Sequence, residues 1–146
     1  QMNNDLYEKL GQYFARLPLV KSPHILCANA LRTDWKELLP PEKCAFIMGN
    51  PPFVGSRMKN EEQKQEIHDL FTATKDCGDL DYVTCWYMKA AQYLGDHGIR
   101  AGFVSTNSIV QGEQVANVWS PIYDLGVRID FAHDTGTAQA AVRATC

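Results

Sequence analysis

One short stretch combines residue types that suit chemistry, and it consists of Asn50, Pro51, Pro52 and Phe53. The side-chain oxygen of Asn50 and the carbonyl oxygen of Pro51 are both acceptors, so together they suit a ligand that presents an NH₂ group. Phe53 adds a flat apolar face on which a planar ring can stack. Two acceptors on the hydrogens of an aromatic amino group favour a pyramidal nitrogen whose lone pair can attack, which is preorganised electrostatic catalysis.

Predicted strand ends bring three polar segments to one edge of a sheet. The apolar run at residues 44–48 indicates a buried strand that ends at the rigid loop, because proline fixes φ and disfavours helix before it. Asp34 follows a strand predicted at residues 24–28. Thr106, Asn107 and Ser108 follow a strand predicted at residues 99–105. Ligands of open α/β sheets bind at this carboxyl edge.

An amphipathic helix is predicted at residues 3–17, before the first strand, and further helices are predicted between the strands. Asn60 and Gln63 form a capping-box pattern, and the longest helix is predicted at residues 81–94. Ser120 and Pro121 are typical of an N-cap followed by proline, which predicts a short helix to Leu125. A fourth strand is predicted at residues 127–133. The tail, residues 134–146, has no clear period. Within it, residues 140–142 are a candidate final strand.

The alternation of strands and helices predicts an α/β fold with a doubly wound, mostly parallel sheet. A chain of 146 residues is long enough for a single domain with one core. It begins at Gln1 without a basic and then apolar leader, so we expect an excised piece of a longer protein.

Charge and composition narrow the function classes. The formal net charge is −3, so strong binding of nucleic acid by this segment alone is not expected, and no apolar run has the length of a membrane span. Five cysteines form no Cys-x-x-Cys pair, which fits a reducing cytosol better than a disulfide framework or a zinc site. The four histidines show no metal-ligand spacing.

The stretch from Gly49 to Phe53 after an apolar strand resembles motif IV of the S-adenosylmethionine-dependent N6-adenine DNA methyltransferases. Three further segments match motifs of that family in its gamma-type order. They are Asp34 for motif III, 81–83 through 89–91 for the motif V helix, and 102–109 for motif VI. Together with residues 111–114 and 131–133, they look most like the single-chain type II restriction-modification methyltransferases and their phage-defence relatives.

The resemblance implies a Rossmann-like class I methyltransferase domain that uses S-adenosylmethionine and acts in the bacterial cytoplasm. Asn50, Pro51, Pro52 and Phe53 would be catalytic, Asp34 would hold the cofactor's adenine, and Thr106, Asn107 and Ser108 would lie on the substrate side. DNA would be bound mainly by regions outside this chain, and no metal is implied. The glycine-rich motif I and acidic motif II are absent, so we expect the N-terminal cofactor-binding strands to be missing and the chain alone to be inactive.

Alternatives remain at the level of function. The same loop serves methyltransferases that act on protein glutamine or on RNA bases, and a non-catalytic fragment is a third reading. The family's motif VIII usually supplies an aromatic residue, whereas residues 134–138 contain none.

Alternatives also remain for individual residues. The loop at residues 50–53 is also able to serve as a plain turn, and Asp34 as an N-cap. Thr106, Asn107 and Ser108 form a possible capping cluster, and Asp79 and Asp81 a possible cap of the long helix. A further set of polar residues is expected to form a solvated helix start, with phosphate contacts as the alternative for its basic members. This set is Arg57, Lys59, Glu61, Glu62, Lys64 and Glu66.

Overall fold

A computed structural model describes residues 24–112, 114–134 and 139–145, so the helix predicted at residues 3–17 lies outside it. Within these residues, one sheet contains β1 (Phe46–Gly49), β2 (Arg100–Thr106), β3 (Arg128–Asp134) and β4 (Gln139–Thr145), in the order β1-β2-β4-β3. β1 and β2 are parallel, whereas β4 is antiparallel to both β2 and β3. Three strands therefore point the same way, and the reversed β4 lies between two of them.

Four α-helices accompany the sheet in the described part of the chain: α1 (Trp35–Leu38), α2 (Glu61–Leu70), α3 (Thr84–Leu94) and α4 (Gln114–Asp124). The capping box predicted for α2 is confirmed, because the Asn60 side chain accepts from Gln63 N and the Gln63 side chain accepts from Asn60 N. Short 3₁₀ turns occupy Pro41–Lys43, Ser56–Met58, Cys77–Asp79 and Asn107–Val110.

The core lies between β2 and the helices α3 and α4. Phe103 of β2 packs edge-to-face against Tyr87 of α3 at 5.1 Å between ring centroids, and Tyr87 packs against Trp119 of α4 at 5.5 Å. Ile99 and Ile122 are also fully buried here. Offset and edge-to-face ring contacts add to the hydrophobic burial. This packing fixes β2, and with it the strand end that carries Thr106.

The opposite face of the sheet is open among the described residues. Phe46 and Met48 of β1 are 65% and 85% exposed, and Phe131 of β3 is 54% exposed. These side chains border an apolar groove of about 470 Å³ that extends over Gly102 and Val104. A doubly wound sheet carries helices on both faces, and the helices described here cover one.

Two predicted elements are wrong. Residues 24–28 form no strand, and Ile25 is 84% exposed, because no described strand takes up their backbone hydrogen bonds. The helix predicted to begin at Ser120 begins instead at Gln114 and contains Pro121 in its interior. Burial of Val118, Trp119 and Ile122 along one helical face outweighs the hydrogen bond that proline cannot donate. The strands at 44–48, 99–105, 127–133 and 140–142 are confirmed with shifted ends.

Candidate functional site

The loop at residues 50–53 begins at the carboxyl end of β1. Gly49 precedes it, and a Cβ there would lie 3.2 Å from two ring atoms of Phe103, so any larger residue would have to push this ring aside by a few tenths of an ångström. Pro51 is buried, whereas Asn50 and Phe53 are exposed, Phe53 to 38%. The loop is therefore anchored through Gly49 and Pro51 and presents its amide and its ring to solvent.

A cavity of about 360 Å³ lies beside this loop. Trp35 and Leu38 of α1 and Trp86 of α3 form part of its wall, and residues 50–52 form another part. Apolar walls that include aromatic rings, with a few polar groups at the border, are typical of sites for small molecules with a planar ring. The cavity thus brings the segment after Asp34 next to the loop that contains Asn50.

Asp34 is the N-cap of α1, and its Oδ1 accepts a hydrogen bond from Lys36 N at 2.9 Å. The N-cap alternative is thereby observed. Asp34 also borders a polar cavity of about 360 Å³ together with Arg32, Lys36 and Lys89. Its proposed contact with a cofactor stays a prediction.

The turn before Asp34 is held by a buried carboxylate on α2. Glu66 is 4% exposed, and its Oε1 accepts from Asn29 Nδ2 at 2.7 Å and from Arg32 Nε at 2.9 Å. Its Oε2 accepts from the Tyr82 hydroxyl. Burial and this bond raise the pKa of Tyr82 above its usual range. The expectation that Glu66 belongs to a solvated face is wrong, because three donors from distant segments compensate its burial.

Thr106 and Ser108 lie at the carboxyl end of β2, which is parallel to β1, so they occupy the same edge of the sheet as Asn50. The Thr106 hydroxyl donates to Asp81 Oδ2 at 3.2 Å, and the Ser108 hydroxyl also donates to this oxygen. The expected meeting of these two loops at one edge is therefore observed. The substrate-side role of Thr106, Asn107 and Ser108 stays a prediction.

The segment after Phe53 runs against the segment before α3. Tyr82 N donates to the Val54 carbonyl at 2.9 Å, and Ser56 N donates to Asp81 Oδ1 at 3.1 Å. Lys59 Nζ donates to the Gly78 carbonyl at 2.7 Å and also to the carbonyl of Leu80. We call these paired segments, residues 54–59 and 78–82, the loop clamp.

Lys59 is 6% exposed, so its assignment to a solvated helix start is wrong. Burial lowers the pKa of its ammonium, while Asp81 and Asp79 act in the opposite direction. Lys64 is half exposed and pairs with Glu61 at 2.6 Å. Of the three basic residues near the loop, Arg57 and Lys64 remain exposed enough to meet a phosphate.

Sequence reasoning missed the role of Asp81 and the burial of Glu66. An Asp just before a helix looks like an ordinary cap, and a Glu among charged neighbours looks solvated. The Asp81 side chain instead reaches partners 25 and 27 positions away, at Ser56, Thr106 and Ser108. Such long-range contacts have no local signal.

Metal and membrane signals are absent from the described residues. They contain no cluster of three or more His, Cys, Asp or Glu side chains that would hold a metal ion. None of their helices is long and apolar enough to cross a membrane.

A parallel strand pair carries an amide loop and a hydroxyl cluster at its carboxyl ends, beside a cavity whose walls include two indole rings. This arrangement is that of an α/β protein with a candidate site for a planar ring. The profile of the MmeI DNA-methyltransferase domain matches residues 1–144, and the chain belongs to this family. The family resemblance inferred from the motifs is thus confirmed.

Two relatives agree with this assignment. DNA methyltransferase A of Bacillus subtilis (strain 168) is 36% identical over 136 residues, which is 91% of this chain. The structure of the type IIL restriction-modification enzyme MmeI in complex with DNA superposes with a TM-score of 0.77 at 44% identity over 98% of the chain. This chain spans 16% of the first relative and 20% of the second.

Proposed function

We propose that this chain is the catalytic part of an enzyme that transfers a methyl group from S-adenosylmethionine to N6 of adenine in DNA, within a bacterial restriction-modification or phage-defence system. The observation that carries the proposal is the Asn-Pro-Pro-Phe loop at the carboxyl end of β1, in a chain of the MmeI methyltransferase family. The cytoplasm is the compartment in which such an enzyme meets DNA.

Asn50 and Pro51 supply the acceptors for the target amine. The Asn50 side chain is exposed at the strand end, and both oxygens sit on a loop made stiff by two prolines. Their hydrogen bonds to the two N6 hydrogens would turn the nitrogen lone pair toward the methyl donor. With S-adenosylmethionine bound, the methyl–sulfur bond would break as the carbon–nitrogen bond forms, leaving a neutral thioether, and the surplus N6 proton would pass to water. The gain is electrostatic and orientational, so an unusually basic side chain is not required.

Phe53 stacks the adenine after it leaves the duplex. N6 is inaccessible inside the base stack, so the base has to be flipped out at a cost of roughly a few kcal/mol. The partly exposed ring of Phe53 would offer one face to the base. Thr106, Asn107 and Ser108, at the end of β2, would lie on the substrate side.

We place S-adenosylmethionine in the cavity beside the loop. The sheet would then be that of a Rossmann-like class I methyltransferase. Trp35 and Trp86 offer apolar walls for an adenine ring. Asp34 lies one residue before Trp35, which borders both this cavity and the polar cavity that Asp34 borders. From there the Asp34 carboxylate would accept from the cofactor's amino group. When bound, the cofactor supplies the electrophilic methyl group. The donors for its methionine and ribose belong to motifs that this chain lacks, and DNA contacts come mainly from other regions.

Product analysis tests the proposal. Full-length protein is incubated with duplex DNA and S-adenosylmethionine, and the digested nucleosides are analysed by mass spectrometry. We expect N6-methyladenine. Parallel incubations with RNA and with glutamine-containing peptides test the two alternatives that share the loop. Methylated RNA or peptide with unmodified DNA would contradict the DNA assignment, and no methylation of any substrate would favour the non-catalytic reading.

A further inference from the structure

We propose that Asp81 is a positioning residue for the Asn-Pro-Pro-Phe loop, an inference that rests on the function proposed above. Its carboxylate receives donors from two sides. Oδ1 accepts from Ser56 N at 3.1 Å, and Oδ2 accepts from the hydroxyls of Thr106 and Ser108. One side chain therefore joins the segment that follows β1 to the end of β2.

The position of Asp81 is itself fixed. The side chain is 6% exposed, its backbone N donates to Gln114 Oε1 at 3.2 Å, and its carbonyl accepts from the Thr84 hydroxyl at 2.6 Å. A buried carboxylate is stable only when hydrogen-bond donors surround it. If one donor is lost, water cannot replace it at this buried position. Asp81 thus acts as a fixed point between three parts of the site.

Asp81 affects the position of Phe53 through the backbone of the loop clamp. Phe53 directly precedes Val54, whose carbonyl accepts from Tyr82 N, and lies three positions before Ser56. Because the Phe53 ring is 38% exposed, its own packing leaves it room to move. The bonds at Val54 and Ser56 therefore set the direction in which the ring projects. Displacement of a substrate-positioning group by about 1 Å can cost about 10²-fold in rate.

A substitution at Ser56 tests this connection in the full-length protein. Ser56→Pro removes the N–H that binds Asp81 and puts the proline Cδ in its place, so the carboxylate has to move away from this segment. The backbone angles themselves suit proline there. Ser56 is the first residue of a 3₁₀ turn, and the preceding Gly55 has φ −66° and ψ 160°, which suits a residue before proline. Ser56→Ala keeps the N–H and is the matched control. We expect kcat for DNA methylation to fall about 10- to 100-fold in Ser56→Pro and to stay unchanged in Ser56→Ala.

Asp81→Ala is expected to lower kcat at least as far as Ser56→Pro, with little change in the dissociation constant of S-adenosylmethionine, because Asp34 lies outside this network. The double variant Asp81→Ala/Ser56→Pro should lose no more than Asp81→Ala alone, since the bond from Ser56 N is already absent in Asp81→Ala. Asp81→Asn, which keeps an acceptor for Ser56 N, should recover part of the rate.

Loss of fold is separated from loss of position by Ile122→Ala, a buried core change in α4. If Ile122→Ala lowers kcat as much as Asp81→Ala at equal thermal stability, or if Ser56→Pro methylates at the wild-type rate, the positioning role is refuted. Absence of N6-methyladenine from the wild-type reaction would instead count against the proposed function. A methylating wild type with fully active Ser56→Pro counts against Asp81 alone.

Discussion

Glu66 Oε1 accepts a hydrogen bond from Arg32 Nε at 2.9 Å, although 34 positions separate the two residues in the chain. The same carboxylate binds Asn29 and Tyr82, so it joins the turn before Asp34 to α2 and to the start of α3. The Asp34 segment is therefore held by tertiary contacts rather than by a strand of its own.

Glu66→Gln should destabilise this turn by about 1–3 kcal/mol, because buried donors lose a charged acceptor. Hydrogen exchange of the full-length protein, followed over residues 29–34 and 61–70, measures the local opening free energy. Glu62→Gln is the matched control. Glu62 pairs with the same Arg32 at 2.7 Å but is 61% exposed, so its loss should cost about 0–1 kcal/mol. Equal effects of the two substitutions would show that the buried carboxylate of Glu66 does not hold this turn more strongly than the exposed one of Glu62.

Tyr87 should make the protein sensitive to alkali. Its hydroxyl donates to Ser105 Oγ at 3.0 Å, and burial raises the pKa of Tyr87 from 10.0 to about 12. The unfolded chain therefore loses this proton first. The stability that Tyr87 contributes is complete below pH 10 and is lost as pH rises toward about 12.

Tyr87→Phe should flatten the fall of thermal stability across that pH range, measured by unfolding curves at successive pH values. Tyr123→Phe, at a residue that is 49% exposed, should leave the curve unchanged. A Tyr87→Phe curve that parallels the wild type would show that this phenol does not stay protonated in the fold.

The local elements were predictable because their signals are local. The apolar runs of β1 and β2 and the capping box at Asn60 each depend on neighbours in sequence. The strand at residues 24–28 failed because strand formation needs a partner, and the helix beginning at Gln114 was missed because proline usually starts helices.

The sheet edge on which the candidate site lies was predictable, whereas the buried side chains that hold its loops were not. Asn50 and Thr106 share a sheet edge as parallel strands require. In contrast, the side chains of Glu66, Lys59 and Asp81 are buried against partners at least 16 positions away. The local pattern therefore indicated a solvated helix start for Glu66 and Lys59, and a helix cap for Asp81. Polar groups that become buried through distant donors have no periodic pattern to reveal them.

Phe53 should contribute through its ring rather than through size alone. Phe53→Leu is expected to weaken catalysis by roughly 1–3 kcal/mol, the usual range for stacking of one base on an aromatic side chain. Phe53→Tyr keeps the ring and serves as the conservative control. The measurement is kcat/KM for DNA, together with fluorescence of 2-aminopurine at the target position. Equal activity of Phe53→Leu and wild type would show that stacking on the Phe53 ring does not contribute to catalysis.

Asn50→Ala tests whether the loop at residues 50–53 carries out methyl transfer. Methyl transfer to DNA by the full-length protein is measured as N6-methyladenine, and binding of S-adenosylmethionine is measured by calorimetry on the same preparations. Asn60→Ala, which removes the N-cap of α2, controls for loss of an asparagine that supports only the fold. We predict that Asn50→Ala lowers kcat by at least about 10²–10³-fold while cofactor affinity is kept. Full methylation activity in Asn50→Ala would contradict the proposed role of the loop.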